Sequence, residues 1–258
     1  MDKNMMTHCP TRMREVFAFL LLIAASPLLA QEDCDNIVTI PELAAQIQTL
    51  QADNDALSCY AGVEMDGYRY YGVPIGDQCW FAENLRTTVY ADGTAIPEVT
   101  DYGTWSGLSS GARCDYDNDA ITYYGYAKLY NWYAVDDSRG LCPSGWHVPT
   151  DGEWTEMEDY ITCQGFSGTE GTALKSTSGW AGNGNGTDDF GFSALPGGYR
   201  NNGYGNFYVP GDLGYWWSSS PNGDNARYRY LSSSDPDFYR DDFDPRLGFS
   251  VRCLRDAE

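Results

Sequence analysis

The sequence is short of positive charge, of histidine and of long apolar runs, and each shortage removes a class of function. Sixteen Lys and Arg stand against 37 Asp and Glu, a formal net charge of -21 at pH 7. Nucleic acid and anionic membrane surfaces both require a basic footprint, so neither is an expected partner. Only two histidines occur, His8 and His147. A metal site built from several histidines is therefore excluded beyond the N-terminal segment. A nucleophile activated by histidine would have to use His147, and neither a G-x-S-x-G elbow nor a papain-like cysteine context accompanies it. The cysteines are widely spaced and lack the close C-x-x-C pairs of a zinc site. Past residue 30 no stretch is long and apolar enough to span a bilayer, so no transmembrane segment is expected in the mature chain.

One apolar run is present, at the start. Arg12 and Arg14 precede "VFAFLLLIAASPLLA", which ends in small residues at Ala30. This is the pattern of a secretory signal peptide over residues 1–30, and it implies an exported protein, secreted or held at the cell surface. Cys34 follows "QED" rather than the small-residue box of a lipid-modified cysteine. Cleavage would remove Lys3, Arg12 and Arg14 against Asp2 and Glu15, taking the charge from -21 by one unit to -22. Cys9 would leave as well, and Cys34, Cys59, Cys79, Cys114, Cys142, Cys163 and Cys253 would remain. In an oxidising compartment these should mostly pair, and an odd number leaves one thiol free or available to a second chain.

Residues 31–61 form the second segment. In "TIPELAAQIQTLQADNDAL", Ile40, Ile47 and Asn54 fall at one heptad position and Leu43, Leu50 and Leu57 at another. That seam of period 3.5 predicts a helix, with Thr39 and Glu42 as its capping box. Two readings stay open: a parallel two-stranded coil making a homodimer, with Asn54 setting register, or a lone amphipathic helix packed on its own domain. Cys34 and Cys59 bracket the helix and are candidates for an interchain disulfide that would staple a short coil.

From residue 62 to 258 aromatics and glycines become dense and turn signals recur. Segments such as "YRYYGVPI", "ARYRYLS" and "GFSVRCL" read as short strands. The fold class expected is α+β: loop-rich, with short antiparallel strands and few helices. The clearest helix begins in "LCPSGWHVPTDGEW", where Thr150 and Glu153 make a second capping box and Asp151 suits the positive end of the helix dipole. Trp154, Met157 and Ile161 then define a buried face, whereas Glu156, Glu158 and Asp159 should be solvated. On this reading the acids near His147 are a helix start and a helix surface, and His147 is a hydrogen-bonding strut.

Three clusters are candidate sites. Asp115, Asp117 and Asp119 in "CDYDNDA" alternate as oxygen ligands for calcium would, although the glycine and distal glutamate of an EF-hand are absent. An exposed acidic turn is the alternative. Asp188 and Asp189 close the loop "NGNGTDDFGF", which reads equally as a calcium loop or an Asx-rich turn. In "GYWWSSS", Trp216 and Trp217 should point to opposite faces of a strand. An exposed one beside Tyr199, Arg200 and Asn201 would suit stacking on a sugar.

The blocks "GVPIGDQCWFAENLRTTVYADGTAIP", "GARCDYDND", "YGYAKLYNWYAV", "RGLCPSGWHVPTDGEW", "ALKSTSGW", "NGTDDFGFSALPGGYRNNGYGNF", "GYWWSSS" and "GFSVRCLRD" occur in the order seen in the Fibrobacter succinogenes major paralogous domain family. The chain resembles that family from about residue 62 to residue 256. The resemblance implies a secreted or cell-surface bacterial protein and says little about role. More distantly, "WHVPTDGEW" and "GFSVRC" are similar to segments of formylglycine-generating enzymes. This implies a C-type-lectin-like fold in which the first and last strands meet. Those enzymes' close copper-binding cysteine pair is absent here, so their chemistry does not transfer. On that fold Cys142 and Cys253 would meet, as would Cys79 and Cys114. The function expected is a non-enzymatic binding or adhesion module for a glycan or a surface protein. The alternatives are a structural envelope or matrix component assembled through the helical segment, and an enzyme of unknown type.

Overall fold

A computed structural model of the chain describes residues 40–255. The signal-peptide segment, Thr39 and Cys34 lie outside the described residues. The chain divides into two compact units after Asp55. Helix α1 (Ile40–Ala61) runs across that division. Its Ala, Gln, Leu and Glu content favours helix throughout, and Glu42 sits in the first turn, where the dipole favours an acid. The seam residues Ile40, Leu43, Ile47, Leu50 and Leu57 are all exposed. The helix stops at Gly62, whose φ of +71° closes a left-handed cap; a β-carbon there would lie 2.3 Å from the carbonyl oxygen of Tyr70.

The second unit opens with a hairpin, β1 (Val63–Met65) and β2 (Tyr68–Tyr70). Asp66 and Gly67 connect them with φ of +52° and +70°, the geometry a two-residue turn requires. Then come β3 (Gly72–Ile75), β4 (Gln78–Phe81), helix α2 (Tyr102–Ser106), β5 (Arg113–Asp115), β6 (Lys128–Tyr130), helix α3 (Trp132–Val135) and β7 (Trp146–His147). Helix α4 (Asp151–Ile161), helix α5 (Glu170–Leu174), β8 (Tyr199–Arg200), β9 (Phe207–Tyr208), β10 (Leu213–Asn222), β11 (Asn225–Ser232), β12 (Tyr239–Phe243) and β13 (Leu254–Arg255) complete the order. Among the described residues the architecture is α+β, with short antiparallel strands and few helices.

Two sheets organise it. One has the order β3-β4-β13-β7, so β13 near the end of the chain lies between β4 and β7, pairing Leu254 with both Trp80 and His147. The other is the meander β10-β11-β12. Disulfide Cys142–Cys253 ties the segment before α4 to the segment before β13. Closing a loop of 111 residues in the unfolded chain is worth about 5 kcal/mol on the chain-entropy model.

The second disulfide differs from the expected pairing. Cys79 bonds Cys59, not Cys114, because β3 and β4 fold back beside the end of α1. Cys59 is thereby also removed as an interchain candidate. Cys114 is a buried thiol, and burial pushes it up to about 12, which leaves it un-ionised and unreactive.

Helix α4 is capped as its sequence requires. The Thr150 hydroxyl accepts from the Glu153 amide while the Glu153 carboxylate accepts from the Thr150 amide. Trp154, Met157 and Ile161 are fully buried. Glu156 and Asp159 are exposed, but Glu158 is not simply solvated: it accepts a 2.5 Å hydrogen bond from buried Arg229 on β11. Asp151 accepts a charge-assisted pair from Arg240 on β12, with Arg227 and Arg229 at 3.6 and 3.7 Å. The first turn of α4 is therefore docked on the meander by three arginines, which sequence periodicity does not reveal.

Strand β10 separates two cores. Trp217 packs with Phe249, Tyr228 and Tyr130 on one side; Trp216 packs with Phe192, Trp80 and Trp154 on the other. Both faces are covered, so neither tryptophan is exposed. Asn84, itself buried, accepts from the Trp216 indole at 2.9 Å and from the Arg252 guanidinium at 2.8 Å. Arg252 gives its other donors to the carbonyls of Phe81, Phe192 and Ser193, so its burial is hydrogen-bonded throughout.

Candidate functional site

His147 lines an indentation of about 230 Å³ with Val135, Leu141, Cys142, Trp146 and Ser219. Its Nε2 lies 2.9 Å from one Glu153 oxygen, and the other Glu153 oxygen serves the cap of α4. Burial alone would raise the Glu153 carboxyl. The hydrogen bonds from His147 and from the Thr150 amide and hydroxyl outweigh that and hold it below the usual value. The imidazole thus shares its carboxylate with a helix cap, which fixes the ring in place. Among the described residues no group of three or more His, Cys, Asp and Glu is positioned to hold a metal ion.

The acidic clusters are drawn apart by their own partners. Asp115 receives Lys128 Nζ at 2.7 and 2.8 Å, while Asp117 turns the chain at φ +52°. Asp119 accepts from the amides of Ile121 and Thr122 at 3.0 Å each, and these bonds lower its carboxyl, the Thr122 amide first. Asp188 holds the amide and hydroxyl of Ser193 at 2.6 Å, and Asp189 accepts from the Thr187 hydroxyl. Of these, the Asp119 bonds form an Asx turn, and the others are an ion pair across β5–β6 and local ties within the 187–193 loop.

The proposed sugar-stacking group is reorganised more thoroughly. Trp216 and Trp217 are buried, as above, and donate to Asn84 and to the Tyr130 carbonyl. Arg200 is also fully buried: its guanidinium lies 4.3 Å above the Trp105 ring and donates to the carbonyls of Val99, Thr100 and Gly205. It is a clamp, holding the chain before α2 against the β8–β9 hairpin. Asn201 accepts from the amides of Gly203 and Tyr204 at 2.8 and 3.2 Å, which shapes the hairpin tip. Of the original group only Tyr199 and Asn201 retain partial exposure.

What the fold does bring to the surface is tyrosine. Tyr215, Tyr230 and Tyr239 face one another across β10, β11 and β12. Their ring centroids are 5.7 and 4.8 Å apart, with planes within 30° and 14° of parallel. Tyr199 meets Tyr215 edge-on at 5.4 Å and 74°, and stacks on its cross-strand partner Tyr208 at 5.5 Å and 27°. Nearly parallel rings this close overlap face to face, so most of the row spends its ring faces on itself and turns edges and hydroxyls outward. Hydrogen bonding to Asp235, then burial, pushes the Tyr239 hydroxyl up to about 12.

The row ends where ring surface is free. Tyr208 is 39% exposed, Tyr204 at the tip of the same hairpin 78%, and Tyr102 on α2, packed 6.3 Å from Phe207, 45%. Gly205 permits this arrangement: a β-carbon on it would lie 2.3 Å from the Tyr102 carbonyl oxygen. The hairpin, held by Arg200, thus exposes Tyr204 at its tip and Tyr208 on β9, while Tyr102 of α2 lies on the other face with Phe207. An exposed tryptophan was expected and both are buried; the exposed tyrosines stand instead in "YRNNGYGNFY", spaced by glycine and asparagine in a turn.

Residues 73–255 match the model of the Fibrobacter succinogenes major domain. No curated protein and no solved structure matches the chain.

Proposed function

The chain belongs to the Fibrobacter succinogenes major domain family, and from that premise we propose that it is an exported binding or adhesion module that holds an uncharged glycan on the β8–β9 hairpin. The observation that carries the reading is the exposure of Tyr204 and Tyr208 on one hairpin that Arg200 holds in place. Tyrosine suits such a surface because it offers area at little cost in side-chain entropy, with a hydroxyl to hydrogen-bond. The charge of -21 favours neutral over acidic polysaccharides, since like charge slows and weakens association. Export is supported by the two disulfides. Among the described residues no helix is long and apolar enough to cross a membrane. The meeting of β13 with β4 supports the C-type-lectin-like reading of the fold.

Affinity electrophoresis through neutral plant and bacterial polysaccharides tests the proposal. At least one should retard the wild-type chain, and Tyr204→Ala or Tyr208→Ala should weaken retardation by about tenfold, the loss expected when one aromatic anchor is truncated. No retardation by any neutral polysaccharide, or retardation untouched by both substitutions, removes the glycan reading.

A second reading, a structural component assembled through α1, is favoured by the exposed seam of Ile40, Leu43, Ile47, Leu50 and Leu57. Sedimentation under oxidising conditions decides it: a homodimer that Leu50→Ala dissociates supports assembly, and a monomer at all concentrations removes it.

A further inference from the structure

Across the sequence from the tyrosine surface, Lys175 follows helix α5 and is 3% exposed. Its ammonium donates to two backbone carbonyls, Ser232 at 2.8 Å and Asp235 at 2.9 Å. Among the described residues the third N–H finds no acceptor. The Asp235 carboxylate turns away, accepting from the Asp237 amide at 3.0 Å and from the Tyr239 hydroxyl. The Trp180 ring, 5.4 Å from Nζ, offers only a neutral face. Buried charges are normally in contact with an opposite charge, whereas the Asp235 carboxylate acts on this one only through space, without a hydrogen bond.

Lys175 lines an open cleft of about 220 Å³ with Asn183, Asn185, Ser233, Ser234 and Asp235. Hydroxyls and amides predominate there. The wall is pre-formed: β-carbons on Gly184 and Gly186 would lie 2.1 Å from the Ser233 oxygen and 2.3 Å from the Lys175 oxygen. The loop "NGNG" is thus pressed against both sides of the cleft, and only glycine allows it. We infer that this cleft is a binding site for a small carboxylate of monosaccharide size, a uronic acid, whose anionic group takes the third donor of Lys175 while its hydroxyls meet the serines and asparagines.

The site goes beyond the tyrosine surface and does not depend on it. The overall negative charge does not forbid it, because at physiological salt distant charges are screened beyond about 8 Å whereas Lys175 would act at contact. Burial draws the lysine amine below its ordinary value, by more than the through-space attraction of the Asp235 carboxylate restores.

The test is an NMR titration of the full chain, following the Trp180 indole and the amides of Gly184 and Asn185, with D-galacturonate, acetate and D-galactose in parallel. Saturable shifts are expected with galacturonate, weaker ones with acetate, and none with galactose at equal concentration. Absence of saturable shifts with both anions, or galactose binding as tightly as galacturonate, overturns the site. Ser234→Glu, at an exposed rim position, should weaken galacturonate by about tenfold through like-charge repulsion without moving the melting temperature. Undiminished binding in that variant is equally fatal. Lys175→Met should abolish binding; should it not fold, Ser234→Glu still decides, and Tyr204→Ala should leave this site unchanged.

Discussion

Helices α1 and α4 carry the same kind of apolar periodicity and end in opposite environments. On α4, Trp154, Met157 and Ile161 are fully buried; on α1, exposure runs from 45% at Ile47 to 85% at Ile40. A period specifies a stripe, and a stripe is buried only where another surface reaches it. For α4 those surfaces are the Trp80 ring at 4.5 Å, Phe192 and Phe238. Capping and three arginines hold it there. Over its 22 residues α1 rests on propensity and length.

The sharpest way to break this comparison is truncation at equivalent positions. Trp154→Ala should cost about 4 kcal/mol in urea denaturation, because it leaves a cavity between two sets of aromatic rings. Leu50→Ala should change monomer stability by no more than about 0.5 kcal/mol. Equal costs would mean that the exposed stripe is buried after all.

Comparable in size is the double substitution Cys142→Ser with Cys253→Ser. A loss approaching the chain-entropy value of about 5 kcal/mol is expected, lowering the melting temperature by roughly 2–4 °C per kcal/mol for a domain of this length. Circular dichroism of the melt measures it. A transition that does not move would show that β13 is held by its neighbours alone.

Smaller still is the cap. Thr150→Ala should destabilise by about 1 kcal/mol. Its partner Glu153 adds a pH signature. Its carboxyl is lowered on folding, so its contribution is present above the unfolded value near 4.5 and fades as pH falls through the lower folded value. Wild type and Glu153→Gln should therefore differ at neutral pH and converge in acid. A gap that widens on acidification would reverse the assignment.

Legibility followed the range of the interactions. The start of α4, its inward face and the opposed directions of Trp216 and Trp217 were readable, because each depends on residues a few positions apart. The role of His147 was nearly so, since Glu153 is six residues away and already required by the cap. The burial of both tryptophans was not legible because exposure depends on both faces of β10, and the second cover, Phe249, lies 32 residues from Trp217 in sequence. Arg200 reads as a surface cation, yet its acceptors at Val99 and Thr100 are 101 and 100 residues away.

The sequence by itself settled which domain family this is, the α+β class and where the main helix begins, since blocks, composition and caps are local properties. Tertiary structure alone decided that Cys59 and not Cys114 meets Cys79, that both tryptophans are buried, that Tyr204 and Tyr208 are exposed on one hairpin and that Lys175 is buried with no carboxylate hydrogen-bonded to it. Each of these turns on which distant segments come to lie together, and chain order carries no record of that.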